Sequence, residues 1–262
     1  MSLMDSLPSG LDSLTDRCAI ITGSSSGIGG EISKCLGCRG FSIAVGYHHN
    51  QAAARKVVES ITAEGGVAFA IKIDLTDERS INYAVDEVER QFGCVSVLVN
   101  NAGCSADSLV ASMDSDDWES ILNLNLSGVF RITRRVLPGM LKARYGRIVN
   151  ISSIIAARGI SGAANYAASK AGLEGFTRSL SVEVARRGIT VNCVAPGIVV
   201  TDMTRNLSHL DQTIGMIPMC RAASYEDIAS CVAFFADDAS GYVTGQTLAV
   251  DGGLSSMAFP IL

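Results

Sequence analysis

The sequence predicts an α/β fold: a single domain on a doubly wound parallel seven-stranded sheet with helices on both faces. Short β-branched runs alternate with longer amphipathic stretches, the order produced by repeated βα units. A glycine-rich turn joins the first run to the first helix, and 262 residues are enough to bury one full core. No repeat, low-complexity tract or interdomain linker breaks that order.

The first strand is placed at 19–22, followed by the glycine turn and a helix at 28–38. Strands at 42–47 and 67–73 flank a helix at 51–64, and a helix at 78–92 leads into a strand at 95–100. A long helix at 116–143 precedes the strand 147–151, and a second, at 165–187, precedes the strand 190–195. The last helix falls at 225–236 and the last strand at 247–250. Between them and the sixth strand, 197–224 is long and poorly periodic, the character of a binding loop or substrate lid. Residues 1–16, rich in Ser, Leu and Asp, are read as a flexible N-terminal extension, and 17–262 as the folded domain.

Composition narrows the function. A net charge of −5 with 18% charged residues and no basic block carries no nucleic-acid footprint. Mean hydropathy is +0.30, yet no apolar run approaches the ~18 residues of a membrane span, so burial in strands, helix packing and subunit interfaces accounts for it. Eight cysteines are scattered through strands and helices behind no secretory signal, which points to reduced thiols and a cytoplasmic setting. Cys35 and Cys38 form a C-x-x-C late in the first helix, away from a helix N-terminus that would activate a thiol, and are read as structural. No metal site is predicted.

Two constellations carry chemistry. Tyr166 and Lys170 are four residues apart and share a helix face, with Ser153 thirteen residues upstream of Tyr166. A phenol with a pKa near 10 is a poor acid or base at neutral pH; a neighbouring ammonium favours the phenolate and brings proton transfer toward pH 7. The same spacing alone also occurs on exposed helices. The second constellation is Thr22-Gly23-Ser24-Ser25-Ser26-Gly27-Ile28-Gly29, between strand and helix. Glycines there let the backbone approach a pyrophosphate, whose charge meets amides and the positive helix end. Three residues separate Gly23 from Gly27, unlike the G-x-G-x-x-G dinucleotide turn.

Taken with Asn100-Asn101-Ala102-Gly103, Asn125, Pro196-Gly197 and Thr201, these motifs resemble the Rossmann-like short-chain dehydrogenase/reductase family from Arg17 to Gly253. The resemblance implies a catalytic set of Asn125, Ser153, Tyr166 and Lys170. Tyr166 would give its proton to the carbonyl oxygen, Ser153 hold that oxygen, Lys170 depress the Tyr166 pKa and bind ribose hydroxyls, and Asn125 hold a water leading from Lys170 to solvent. It implies cofactor contacts from Gly23, Ser25, Ser26, Gly27, Ile28 and Gly29, from Tyr47, His48 and His49, and from Asp74 and Leu75. Asn101, Ala102, Gly103, Pro196, Gly197, Ile198 and Thr201 complete that set with Tyr166 and Lys170. Singly, Asn100 and Asn101 also read as strand-end turn residues, Ser153 as a helix cap, Thr201 as a loop hydroxyl and Asp74 as a turn residue.

Gly46-Tyr47-His48-His49 ends the second strand without the acidic residue that holds ribose hydroxyls in NAD-preferring members, which favours NADP(H). Ser26 stands where many NADPH-dependent relatives carry arginine, so NAD(H) stays open, and His48 and His49 either donate to a phosphate or stand idle. The stretches 146–153, 186–192, 242–246 and 251–253 resemble the 3-oxoacyl-[acyl-carrier-protein] reductases, implying reduction of a 3-oxoacyl thioester to the 3-hydroxyacyl thioester. In that reading Arg144 and Arg187 face an acidic acyl carrier protein, and Met203, Met216, Ile217 and Met219 of the lid adapt to acyl chains. The alternatives are a reductase or dehydrogenase of another ketone or secondary alcohol (polyketide, sugar or steroid) and a noncatalytic dinucleotide sensor. The family also implies a homotetramer formed through the two longest helices and the final helix and strand.

Overall fold

Strands β1 (Cys18–Ile21), β2 (Ser42–Tyr47), β3 (Ala68–Lys72), β4 (Val95–Asn100), β5 (Gly146–Ile151), β6 (Ile189–Pro196) and β7 (Thr247–Val250) form one sheet. Its order is β3-β2-β1-β4-β5-β6-β7, and every pairing is parallel. The computed structural model describes residues 17–201 and 210–257; the predicted extension at 1–16 and Met203 lie outside the described residues.

Parallel strands need crossovers, and here helices supply them on both faces. Helices α1 (Gly27–Gly37) and α2 (Gln51–Ala63) cover one face, while α3 (Glu78–Phe92) covers the other. Alternation along the strands feeds two cores. Ala19 and Ile21 of β1 with Val97 and Val99 of β4 meet Ile32 and Leu36 of α1; Cys18, Ile20 and Leu98 point the other way, toward Val85 and Val88 of α3.

One predicted helix is divided. In place of a continuous helix over 116–143, α4 (Ser115–Leu122) passes into a π-helical stretch (Asn123–Gly128) and then α5 (Val129–Ala143). Arg131 fastens the widened stretch, donating to Asn123 Oδ1 at 2.7 Å and to the Leu75 carbonyl at 3.2 Å. The turn has a partner that lies far along the chain, so local periodicity does not reveal it. Three further helices follow: α6 (Ile155–Arg158), which the sequence pattern does not announce, α7 (Ala164–Val184), which ends in a 3-10 turn (Ala185–Arg187), and α8 (Leu210–Gly215) within the predicted lid. The last helix, α9 (Tyr225–Ala236), starts with a capping box between Ser224 and Asp227 and packs on α1.

Some polar side chains buried in the sheet pair with one another. Asn100 Nδ2 donates to Asn150 Oδ1 at 2.8 Å, and Asn150 Nδ2 to Thr177 Oγ1 of α7 at 2.8 Å. At the N-terminal edge, Arg17 and Arg147 stack over the Tyr145 ring at 4.7 and 4.4 Å and both reach Asp238. All eight cysteines are free thiols. Burial raises the Cys35 pKa, and the hydrogen bond to Glu64 raises that of Cys38, so neither is an activated thiol.

Leu98 sits fully buried on the central strand β4. Leu98→Ala is expected to cost about 2–5 kcal/mol through lost burial and the cavity left behind, measured as a lower urea midpoint with unchanged slope.

Candidate active site

The sheet order reverses between β1 and β4, and there the crossovers leave in opposite directions. The gap outside the strands' C-terminal ends is the natural ligand crevice of such a sheet. Its floor is held by the residue that heads the glycine turn, to which the sequence assigned no role of its own. Thr22 Oγ1 accepts the backbone N–H groups of Asn101 and Ala102, both at 3.1 Å. Asn101 answers through Nδ2, which donates to the carbonyls of Thr22 at 3.0 Å and Gly23 at 2.9 Å. The glycine turn and the Asn-Ala-Gly turn are thereby clasped together.

Closeness explains the glycines. Gly23 has φ of +62°, and a Cβ there would lie 2.7 Å from Ala102 Cα; one on Gly29 would lie 2.4 Å from Asn101 Nδ2. Ser26, the residue before α1, makes no side-chain cap, so the first-turn amides of α1 are not taken up by it. Ser26, Gly27, Ile28 and Gly29 line a cleft of about 390 Å³ that Ser153, Tyr166 and Lys170 also line. The donor-rich helix end and the room beside it fit the pyrophosphate of a dinucleotide.

α7 presents Tyr166 half-buried and Lys170 buried on one face, as the four-residue spacing predicts. Ser153, two residues past β5, sets its hydroxyl beside the Tyr166 phenol, where it favours the phenolate. Lys170 Nζ donates to the Ile151 carbonyl at 2.8 Å and stands 5.6 Å from the Tyr166 ring centre.

Here the electrostatics differ from the sequence expectation. Burial raises the Tyr166 pKa above its ordinary value, and the Ser153 hydrogen bond offsets this only in part. Burial also pushes Lys170 down to about 8. Lys170 still carries its charge at neutral pH but loses it above about 8, and burial rather than that charge dominates the Tyr166 shift.

Asn125 lies in the π-helical stretch, fully buried. Its Oδ1 accepts the Cys104 N–H at 3.0 Å, and its Nδ2 donates to the Cys104 carbonyl at 2.9 Å and to Ser169 Oγ at 3.2 Å. The side chain is thus a clamp on the loop after β4, and a water relay at this residue would fall to its backbone.

Asn101, Gly103, Pro196, Gly197 and Thr201 also line the cleft. Ser25, Ala102 and Ile198 adjoin it in sequence, whereas the Tyr47 and Leu75 side chains belong to the two cores, leaving only their backbone for a ligand. His48 stacks on His49 with ring centres 3.7 Å apart and pairs with Asp74 at 3.3 Å. Hydrogen bonds from Thr76 hold the Asp74 carboxyl below its usual range, with His48 assisting. Ser105, Asp107, Ile155, Ile160 and Tyr225 complete the lining. They went unmarked in the sequence because only the folded loops bring them to the cleft.

With the fold and this geometry in place, a family model described as enoyl-(acyl carrier protein) reductase matches residues 23–255. The chain belongs to the short-chain dehydrogenase/reductase family, whose members use a nicotinamide cofactor. It is similar to the 3-oxoacyl-[acyl-carrier-protein] reductase of Staphylococcus epidermidis, 44% identical over 241 residues, which are 91% of this chain and 99% of the relative. The enzymes of that name from Pseudomonas aeruginosa and Salmonella typhimurium are 42% and 43% identical over 244 and 245 residues, covering 92% of this chain and 98% of each relative.

Two measurements probe this site. Thr22→Val leaves two clasp amides without their acceptor and is expected to cost about 1–3 kcal/mol and to weaken dinucleotide binding, read by urea titration and by nucleotide fluorescence. For Lys170, whose folded pKa of about 8 lies below its ordinary 10.5, the unfolded chain holds more protons between those values. Its penalty on stability is full below about pH 8 and is relieved as pH rises toward 10.5. Urea titrations at pH 7.5 and 10 are expected to show that rise in the native protein and a flatter profile in Lys170→Met.

Proposed function

We propose that this protein reduces a 3-oxoacyl thioester, carried on an acyl carrier protein, to the 3-hydroxyacyl thioester with NADPH as the preferred reductant. The observation that carries the proposal is one cleft lined both by Ser153, Tyr166 and Lys170 and by the open N-terminus of α1. The printed names of the similar proteins support the substrate class. Two hydroxyls side by side suit an oxygen, which favours reduction of a carbonyl over a carbon–carbon double bond.

When bound, the nicotinamide supplies the hydride. The amides opening α1 and the clasped turns hold the dinucleotide, and Ser153 and Tyr166 position the substrate carbonyl oxygen between their hydroxyls. Tyr166 then gives its proton to that oxygen, and its raised pKa keeps the phenol protonated at neutral pH, the form a general acid requires. Lys170 binds ribose hydroxyls, and its ammonium, charged at neutral pH, stabilises the phenolate left after transfer. Asn125 keeps the loop after β4 at the right height and supplies the backbone for a water leading outward.

The NADPH preference rests on the end of β2, where no carboxylate belongs to the strand and the nearby Asp74 is engaged with His48. Residues 197–224 serve as the substrate lid, of which 197–201 and 210–224 are described. No helix among the described residues is long and apolar enough to cross a membrane, which accords with a cytoplasmic enzyme.

Exposed Trp118 and Phe130 on α4 and α5, with Val182 on α7 and Tyr242 and Leu248 at the β7 edge, accord with a homotetramer. Arg144 and Arg187, the arginines read as facing the carrier, stand together where Arg144 Nη2 donates to the Arg186 carbonyl at 3.2 Å. They lie at the opposite end of α7 from Tyr166, roughly 30 Å along the helix. A carrier docked there faces away from its own chain's cleft and serves a neighbouring copy.

Absorbance at 340 nm with an acetoacetyl thioester is the direct test: NADPH oxidation faster than NADH oxidation is expected, and no oxidation with either, in protein shown to bind cofactor, would overturn the proposal. Tyr166→Phe is expected to bind NADPH normally and lose at least ~100-fold in rate, as removal of a general acid requires.

A further inference from the structure

Proton transfer leaves one charged side chain of the cleft unused. Asp107, on the loop after β4, lines the same cavity as Tyr166 and is exposed. It makes no hydrogen bond or ion pair among the described residues. Its charge nonetheless reaches Tyr166, where it disfavours the phenolate and so acts at the carbonyl-binding end of the cleft.

The surrounding wall sharpens the consequence. Ile155, Ile160 and Val199 are apolar, and Lys170 is the one cation among the described residues that line the cleft. That ammonium is buried, donates to the Ile151 carbonyl and faces the Tyr166 ring. A carboxylate entering beside Tyr166 would therefore lose its water and meet a like charge, with no free cation among the described lining residues to receive it.

We infer that Asp107 is a specificity-determining residue: its carboxylate turns away substrates bearing a free carboxylate near the reacting carbonyl and admits the same acyl group when that acid is masked as a neutral thioester. A 3-oxo acid and its thioester share a carbon skeleton and differ by one charge, so the discrimination works by repulsion rather than shape. This rests on the carbonyl-reductase reading of the cleft and adds to it the reason a thioester is taken and its hydrolysis product is not.

The test compares kcat/KM for acetoacetate and methyl acetoacetate, a pair of similar size of which only the first is charged, in native protein, Asp107→Asn and Asp107→Glu. Native protein is expected to prefer the ester strongly. Asp107→Asn is expected to raise the acid-to-ester ratio at least ~10-fold while changing the ester by less than ~3-fold, and Asp107→Glu to keep the native ratio. A merely structural role would lower both substrates together. Turnover of the ester with an unchanged ratio in Asp107→Asn would overturn the inference alone. Failure of native protein to reduce the ester or an acetoacetyl thioester with either nicotinamide would overturn the carbonyl-reductase reading, and the inference with it.

Discussion

The clasp between Thr22 and Asn101 is the interaction on which the site depends. Where β1 and β4 part, no neighbouring strand remains to satisfy the backbone groups at their ends, and an opened sheet otherwise leaves buried amides and carbonyls orphaned. One hydroxyl receives two amides, and one carboxamide gives to two carbonyls, so the gap stays open at little hydrogen-bonding cost. Everything nearby then sits at van der Waals distance. Gly23 and Gly29 are glycine because the clasped turns leave no volume for a side chain, and the N-terminus of α1 is aimed at the crevice by the same short connection.

A second constraint is the buried ammonium of Lys170. Desolvation favours its neutral form and brings its pKa down to about 8, and the Ile151 carbonyl alone does not restore the ordinary value. The phenol of Tyr166 meets the opposite consequence of the same burial, since for an acid desolvation favours the proton. Both shifts disfavour the charged forms, although Lys170, titrating at about 8, is still an ammonium at neutral pH. A ligand bringing hydroxyls to Lys170 and a carbonyl oxygen to Tyr166 moves both groups at once toward their charged forms, so reactivity awaits occupancy. That coupling explains why two residues four apart on α7 share one cleft wall although they make no hydrogen bond to each other.

Much of this was legible in the chain. Period-two and period-3.6 patterns placed all seven strands and the principal helices, because a sheet covered on both faces demands apolar runs at fixed intervals. The spacing of Tyr166 and Lys170 carried over directly, since an i, i+4 relation is local geometry. The remainder is non-local. The π-helical stretch is fastened by Arg131 to Leu75, 56 residues away, and His48 finds Asp74 from the next strand. The Lys170 pKa depends on how deeply a side chain is buried, which no spacing expresses. Asp107 looked like one loop acid among many until the loop carried it to the cleft wall.

The two ends of the sheet handle charge in contrasting ways, and the contrast separates stability from chemistry. At the N-terminal edge, Arg17 and Arg147 are buried against the Tyr145 ring and share Asp238, so each cation is spent on a partner within the fold. At the C-terminal edge the helix amides of α1 have no cap from Ser26, Lys170 has only a carbonyl, and Asp107 has no partner among the described residues. Unpaired polar groups gathered in one cleft are costly unless something completes them. A fold that pairs its charges at one edge and leaves them incomplete at the other has reserved the second edge for a ligand. The sign of each incomplete group sets what that ligand must offer: negative charge at α1, hydroxyls and a carbonyl oxygen at Lys170 and Tyr166, and neutrality beside Asp107.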